Sequence, residues 1–424
     1  MRVALVALLC LLLATPGAAA AEIEAEQVRQ AIERAVGYLK REQHDNGSWD
    51  DIPGFPGGIS ALATLALLNA GVPTNDPTIQ RALNFLRKQQ PNKTYSTALQ
   101  TMVFCAAEPK ANLATIKRNA DWLQDMQKKN GRMQGAWAYP ESDGDNSNSQ
   151  FAILALYEAE RVGVQVPLRT WQLAHDYWKA SQNPDGSWSY KPGLPNPTGS
   201  MTSAGIAAMI ITSDRLSKGD AEVNGDRVSC CGVQEANSEI ARGLAWMGRN
   251  FAVHNNPGAH GAQGWLLYYL YGIERVGRLT NRRFLGEHDW YREGAALLVS
   301  TQDKLSGFWT GTGVVEEFPH VGTSLALLFL AKGRRPVLAA KLKHEPLDDW
   351  NHHRNDLANL TTFVENRWQR DLTWQVIDSQ AAQADDLLEA PVLFISGQLN
   401  PEFSDEQVKR MREYVNRGGF IFAE

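Results

Sequence analysis

Apolar residues recur at helical spacing in one kind of segment and fill a second kind almost completely. In the first kind, Val28, Ile32, Val36 and Leu39 fall on one helical face, while Arg29, Glu33, Arg34 and Lys40 fall on the other. Ile79, Leu83 and Leu86 repeat the pattern. Each such helix ends on a bulky apolar residue with an amide side chain four positions later: Leu39/Gln43, Leu86/Gln90, Leu123/Gln127, Trp178/Gln182, Trp246/Asn250 and Leu298/Gln302. The second kind follows each amide after a loop: Ile59–Ala70, Thr97–Ala107, Phe151–Tyr157, Ala204–Ile211, Trp265–Ile273 and Val321–Ala331. A helix without a polar face must be buried on every side. Six half-wet helices alternating with six dry ones predict a mainly α fold: an (α/α)6 toroid over residues 22–335, with the dry helices as its inner ring. Closing the ring removes the ends that an open solenoid has to cap.

The connecting loops share a further motif. Gln43 to Gly47 and Trp49, and Gln182 to Gly186 and Trp188, both read Gln-x-x-x-Gly-x-Trp. Gln302 to Gly307 and Trp309 has one insertion, and Gln127 through Gly131 to Trp137 is a looser copy. Glycine supplies the positive φ that ends a helix, Asn/Asp-Gly-Ser makes the turn, and the indole covers apolar surface while keeping an N–H donor. These loops between paired helices resemble the repeats of squalene–hopene cyclases and protein prenyltransferase β subunits. The resemblance spans about three-quarters of the chain and implies the toroid fold; its chemistry has to be sought motif by motif.

Class II cyclases protonate an alkene with an Asp-x-Asp-Asp motif at the start of an inner helix. Asp143-Gly144-Asp145-Asn146 resembles it, with Asp145 at the acid position and Asn146 in place of the last Asp. The plainer reading is that Asp145 caps the helix that follows. His320 resembles the zinc-ligand histidine of prenyltransferases, but the copy at His260 offers neither Asp nor Cys, so no metal and no cofactor are expected. A third reading is a carbohydrate-active (α/α)6 enzyme using Asp143/Asp145 and Glu316/Glu317 as paired carboxylates across the ring. The residues expected at the mouth, where the inner helices begin, are Trp137, Tyr139, Asp143, Asp145, Asn146, Asn148, His254, His260, Glu316 and His320. Of the aromatic run Trp265, Tyr268, Tyr269 and Tyr271, helical spacing lets only part face the interior. The favoured reading is a non-catalytic toroid holding a hydrophobic, isoprenoid-like ligand or a protein partner; the alternative is an isoprenoid cyclase with Asp145 as proton donor.

Composition narrows the setting. With 42 Lys+Arg against 47 Asp+Glu, a net charge of −5 and no long basic run, nucleic acid is not the expected partner. Arg2, the apolar stretch Val3–Ala14 and the small residues Thr15–Ala21 form a signal-peptide pattern over residues 1–21, which implies export. No transmembrane segment is expected. Cys105 reads as a small core residue, and the adjacent Cys230 and Cys231 as loop thiols. Past residue 335 the pattern changes. Residues 336–366, polar and containing His344, His352 and His353, read as a linker and connecting helix. Thr373–Asp378, Pro391–Ser396 and Phe420–Ala423 read as buried strands and Ser404–Asn416 as a capped helix, so residues 367–424 read as the first part of an α/β domain with a parallel sheet. This part resembles the flavodoxin-like or glutamine-amidotransferase-like domain of unknown function appended to such toroids in exported bacterial proteins.

Overall fold

The computed structural model describes residues 23–52, 54–139, 142–216, 221–224, 227–230, 238–259, 264–334, 336–346, 349–351, 353, 355–368 and 372–424. Among them, the wet-faced helices are α1 (Ala25–Arg41), α3 (Pro77–Leu86), α5 (Leu113–Met126), α7 (Leu168–Ala180), α9 (Ser238–Asn250) and α11 (Trp290–Thr301). The dry ones are α2 (Gly58–Asn69), α4 (Thr94–Ala107), α6 (Asn146–Arg161), α8 (Gly199–Leu216), α10 (Leu266–Thr280) and α12 (Pro319–Leu330). Burial follows the sequence pattern. Helix α1 hides one stripe (Ala31, Ile32, Ala35, Tyr38, Leu39), whereas every residue of α2 from Gly58 to Leu67 is buried. Each dry helix packs on the next, and α12 packs back on α2, so the inner ring is closed. Two small hairpins decorate the ring: β1 (Ala221–Asn224) with β2 (Arg227–Cys230), and β3 (Phe284–Leu285) with β4 (His288–Asp289). Cys230 ends a hairpin strand, Cys231 lies outside the described residues, and Cys105 is a buried free thiol.

The repeat motif is a set of backbone connectors. Gln43 donates through Nε2 to the carbonyl of Gly47 (3.1 Å) in its own loop and to that of Thr78 (2.9 Å) in the next outer helix. Gln127 does the same to Gly135 and Thr170, Gln182 to Gly186 and Glu239, and Gln302 to Gly307 and Ala31. The last of these joins the end of the ring to its beginning. Each of the four tryptophans of the motif donates its indole N–H to the carbonyl of the bulky residue that closes the preceding outer helix: Trp49 to Leu39 (2.8 Å), Trp137 to Leu123 (2.6 Å), Trp188 to Trp178 (2.9 Å) and Trp309 to Leu298 (2.8 Å). These carbonyls belong to the last turn, which has no intrahelical donors of its own.

In the loose third copy the glycine that matters is Gly135, not Gly131. Gly135 has φ +93°, and a Cβ there would lie 2.0 Å from the carbonyl oxygen of Leu173 in the next outer helix; Gly131 has open space around it. Gly47 and Gly186 are pressed on Arg81 and Arg242 in the same way. The Gly-x-Trp spacing is therefore kept, and the insertion lies between Gln127 and Gly135. The second copy has no loop tryptophan. There Gln100 of the inner helix donates to the Leu86 carbonyl (2.6 Å), the role the indole plays elsewhere.

The C-terminal part forms a four-stranded parallel sheet in the order β6-β5-β7-β8, built from β5 (Val337–Lys343), β6 (Thr373–Asp378), β7 (Val392–Ile395) and β8 (Phe420–Ala423). Its helices are α13 (Asp356–Trp368), α14 (Ala384–Leu387) and α15 (Asp405–Asn416); Ser404 and Gln407 close the expected capping box on α15. Strand β5 corrects the linker reading of residues 336–366. Its Ala-Ala-Lys-Leu-Lys run lacks the β-branched residues that mark a strand, yet it lies between β6 and β7. Lys341 is fully buried there, its ammonium bonded to Asp356 Oδ2 (2.7 Å) and the His353 carbonyl (2.8 Å). The sheet docks on the toroid through the turn after α10. The Val376 N–H donates to the Asn281 carbonyl (2.6 Å), and the Arg283 N–H to the Val376 carbonyl (2.9 Å).

Candidate functional site: an aromatic cavity on the toroid axis

All six inner helices contribute their first turns to one cavity of about 630 Å³. Its wall includes Ile59 and Leu62 of α2, Tyr95, Ser96 and Leu99 of α4, Ser147 and Phe151 of α6, Ser200 and Met201 of α8, Tyr268 of α10, and Val321 and Leu325 of α12. Loop residues Phe55, Tyr139, Tyr190, Asn256 and Trp265 also belong to it. The aromatic rings touch in sequence: Phe55 to Tyr139 (5.8 Å between centroids), Tyr139 to Tyr95 (6.0 Å), Tyr95 to Phe151 (4.5 Å), Phe151 to Tyr268 (6.3 Å) and Tyr268 to Trp265 (6.3 Å). Tyr95 and Tyr268 share a hydroxyl hydrogen bond (3.2 Å), and Gln150 donates to the Tyr268 hydroxyl. Burial pushes the phenols of Tyr95, Tyr139 and Tyr268 well above the ordinary tyrosine range, so they are neutral hydrogen-bonding groups. Among the described residues, no Asp, Glu, His, Lys or Arg forms part of the wall.

The polar residues expected at the mouth mostly terminate inner helices. Asp145 is buried, with Oδ1 accepting from the Ser147 hydroxyl (2.6 Å) and the Asn148 N–H (2.8 Å), and Oδ2 from Asn148 Nδ2 (2.9 Å). It caps α6, and Ser147 stands between it and the cavity. Asn146 donates from Nδ2 to the Ser189 carbonyl (2.7 Å). Glu316 is fully buried and accepts from the Tyr268 N–H at the start of α10 (2.7 Å). Burial raises its carboxyl above the usual range, and backbone N–H groups led by Tyr268 oppose the shift. Asp51 accepts from the N–H of Gly57 (2.6 Å) and of Ile59 (3.2 Å) on α2, and Asn256 from the Ser200 N–H (3.0 Å) on α8.

The structure brings Tyr139, Asn146, Asn148 and Asp145 together at one side of the cavity, with only Tyr139 in the wall. Asp143, His254 and Glu317 are exposed, Trp137 is buried in its repeat position, and His260 lies outside the described residues. The pairs Asp143/Asp145 and Glu316/Glu317 do not face each other across the cavity, because none of the four is in its wall. Of the aromatic run, Trp265 and Tyr268 face the cavity, while Tyr269 and Tyr271 pack into the ring. Trp265 is not helical as expected. Its φ of +62° places it just before α10, with its ring over Gly313, where a Cβ would come within 2.7 Å. Sequence reasoning missed Phe55, Tyr95 and Tyr190. Tyr95 sits in the first turn of a dry helix and could have been found by its place in the repeat; the other two are ordinary loop residues.

His320 stacks on Tyr38 (5.8 Å between centroids), and burial lowers its pKa from the ordinary 6.5. The unfolded chain therefore takes up this proton first as pH falls. The stability His320 allows is whole above 6.5 and is lost as pH drops from there toward the folded value. The melting temperature of His320→Gln should fall less than that of the parent between about pH 7.5 and pH 5.5. Equal falls would rule out this contribution.

Paired helices in two concentric rings around an axial cavity place the chain among α/α toroids with a terpene-cyclase-like fold. A type II terpene cyclase, MstE from Scytonema, in complex with its product merosterolic acid A, superposes with a TM-score of 0.51 at 12% identity, covering 73% of this chain and 97% of that one. The same enzyme with geranylgeranyl dihydroxybenzoate, its substrate, gives 0.50 at 12% identity, covering 72% and 98%. Protein geranylgeranyltransferase-I of Candida albicans gives 0.43 at 13% identity, covering 70% and 89%. At 12% identity the likeness to MstE is one of fold. Residues 339–424 match the profile of a "Domain of unknown function (DUF4159)", which begins within strand β5. No curated protein matches the sequence.

Proposed function

We propose that this chain is an exported toroid whose axial cavity holds an apolar, isoprenoid-like molecule without transforming it. One observation carries the reading: a cavity of about 630 Å³, within the usual range for ligand pockets, is walled by aromatic and aliphatic side chains with a few neutral hydroxyls. MstE, an enzyme seen in complex with geranylgeranyl dihydroxybenzoate and with merosterolic acid A, supports an isoprenoid-like occupant through fold alone and does not bear on whether it is transformed. Export rests on Arg2, Val3–Ala14 and the small residues that end at Ala21.

A second reading, cyclase-like protonation by Asp145, draws on the short path from that buried carboxylate through Ser147 to the wall. The donors around Asp145 favour the cap instead, since all three point at carboxylate oxygens.

The test is lipid extraction and mass spectrometry of the purified full-length protein, before and after incubation with geranylgeraniol and squalene. The parent should retain the unaltered lipid, and Leu99→Trp, which pushes an indole into the cavity, should retain about tenfold less. Equal retention by both would remove the cavity from the account. A cyclised product formed by the parent and lost in Asp145→Asn would establish the second reading. The intact mass of the same sample tests export: a mature chain starting near Glu22 is expected, and an uncleaved start at Met1 would contradict it.

A further inference from the structure

We propose that the molecule held in the cavity carries an uncharged oxygen, a hydroxyl or a carbonyl, and that this oxygen sits among the phenols of Tyr95, Tyr139 and Tyr190 in front of Ser147. The inference rests on the ligand-binding reading above and adds the chemistry of the ligand's head. All four residues belong to the wall. Each of the three phenols has Ser147 as a hydrogen-bonding neighbour, so their oxygens, rather than their ring faces, converge on one place. Tyr268, also in the wall, joins the group through its hydroxyl bond to Tyr95 (3.2 Å). Separate parts of the chain supply these groups: Tyr95 comes from α4, Ser147 from α6, and Tyr139 and Tyr190 from the loops before α6 and α8.

The rest of the wall says where the body lies. In the ring order α6 stands opposite α12, and α12 and its neighbour α2 give the wall only aliphatic side chains and Gly58: Val321 and Leu325 from the first, Ile59 and Leu62 from the second. The polar wall residues at the start of α8 are satisfied among themselves, since the Ser200 hydroxyl accepts from Asn256 Nδ2 (3.0 Å) and shares a bond with the Thr198 hydroxyl (3.1 Å). A pure hydrocarbon laid over the phenol group would strip water from its hydroxyls and give no bond in return. Charge selects the kind of head. Asp145 lies directly behind Ser147, which donates to it (2.6 Å), and no Lys, Arg or His among the described residues belongs to the wall. An anionic head would be desolvated there, without a cation and next to a carboxylate. A cationic head would find that carboxylate already holding three donors. Neutral phenols, which both donate and accept, suit a neutral oxygen.

The experiment offers the purified full-length protein phytane, phytanol, phytanal and phytanic acid, which share one saturated isoprenoid body and differ at the head. Retention is read by extraction and mass spectrometry at about pH 7.5, where the acid is ionised. Phytanol or phytanal should be retained about tenfold more than phytane, the larger gain telling hydroxyl from carbonyl, and phytanic acid no more than phytane. Tyr139→Phe and Tyr190→Phe should each cut that gain about three- to tenfold and leave phytane retention unchanged. No gain over phytane for either neutral head, an equal gain for phytanic acid, or a gain untouched in both variants would overturn the head-group assignment while leaving the cavity reading intact. Failure of the parent to retain any of these lipids would overturn the cavity reading itself.

Discussion

Trp188→Ala is expected to destabilise the toroid by about 3–5 kcal/mol, the range for deleting a buried aromatic side chain. The indole is fully buried and donates to the Trp178 carbonyl (2.9 Å), while the backbone N–H of Trp188 is taken by the Thr202 hydroxyl (3.2 Å). What places it at the upper end is the company it keeps. Gly205 of α8 and Gly243 of α9 lie against the ring so closely that a Cβ would come within 2.2 Å and 3.0 Å of it. Neither residue has a side chain that could move into the space, so the void cannot collapse. Gln182→Ala, which removes the two hydrogen bonds donated to Gly186 and Glu239 and the one accepted from Arg242, should cost less, about 1–3 kcal/mol. Chemical denaturation followed by far-ultraviolet circular dichroism measures both. A tryptophan loss no larger than the glutamine loss would show that the amide connectors, not the indoles, hold the ring together.

The second large effect concerns the joint between toroid and sheet. Arg283 is 8% exposed and pairs with Asp289 of its own hairpin (2.6 Å), with Asp386 of α14 (3.5 Å) and with Glu389 just beyond it. Arg292 reaches the same Asp386 (3.4 Å) and Glu389 (3.2 Å). Removing Arg283 leaves three carboxylates around one remaining guanidinium in a largely buried seam, and breaking such a pair from one side costs about 3–5 kcal/mol. Arg283→Ala should therefore loosen the sheet from the ring, and brief trypsin treatment should cut near Lys332 and Arg334 at least about tenfold faster than in the parent. If cleavage is no faster, the main-chain bonds of Val376 to Asn281 and Arg283 are enough for docking.

Much of the ring was legible because its signals are local. A stripe such as Val28, Ile32, Val36 and Leu39 belongs to a helix with one wet side, and an unbroken run such as Ile59–Ala70 belongs to one that is buried all round. Where the reading failed, the cause lay in distant contacts. Gly131 and Gly135 are equally good turn residues by sequence; only the approach of the Leu173 carbonyl separates them. Strand β5 was hidden because Lys341 and Lys343 look like surface residues, and burial of Lys341 becomes tolerable only with Asp356 at its ammonium.

The candidate site divides in the same way. That the inner helices start at one mouth, with Tyr139 and Tyr268 beside it, follows from the repeat. Which of the polar residues there face empty space does not. Asp145 and Glu316 offer a carboxyl group, as a catalytic acid would, but each is turned onto the first turn of an inner helix and neither lies in the wall. The alternation of half-wet and dry helices, together with the amide and indole at each loop, was enough by itself to specify a closed α/α ring, since burying a helix on all sides demands a second ring around it. The identity of the cavity wall and the seam with the sheet were decided only in three dimensions, because a hydrogen bond forms with whichever donor or acceptor folding brings near, however far away it lies along the chain.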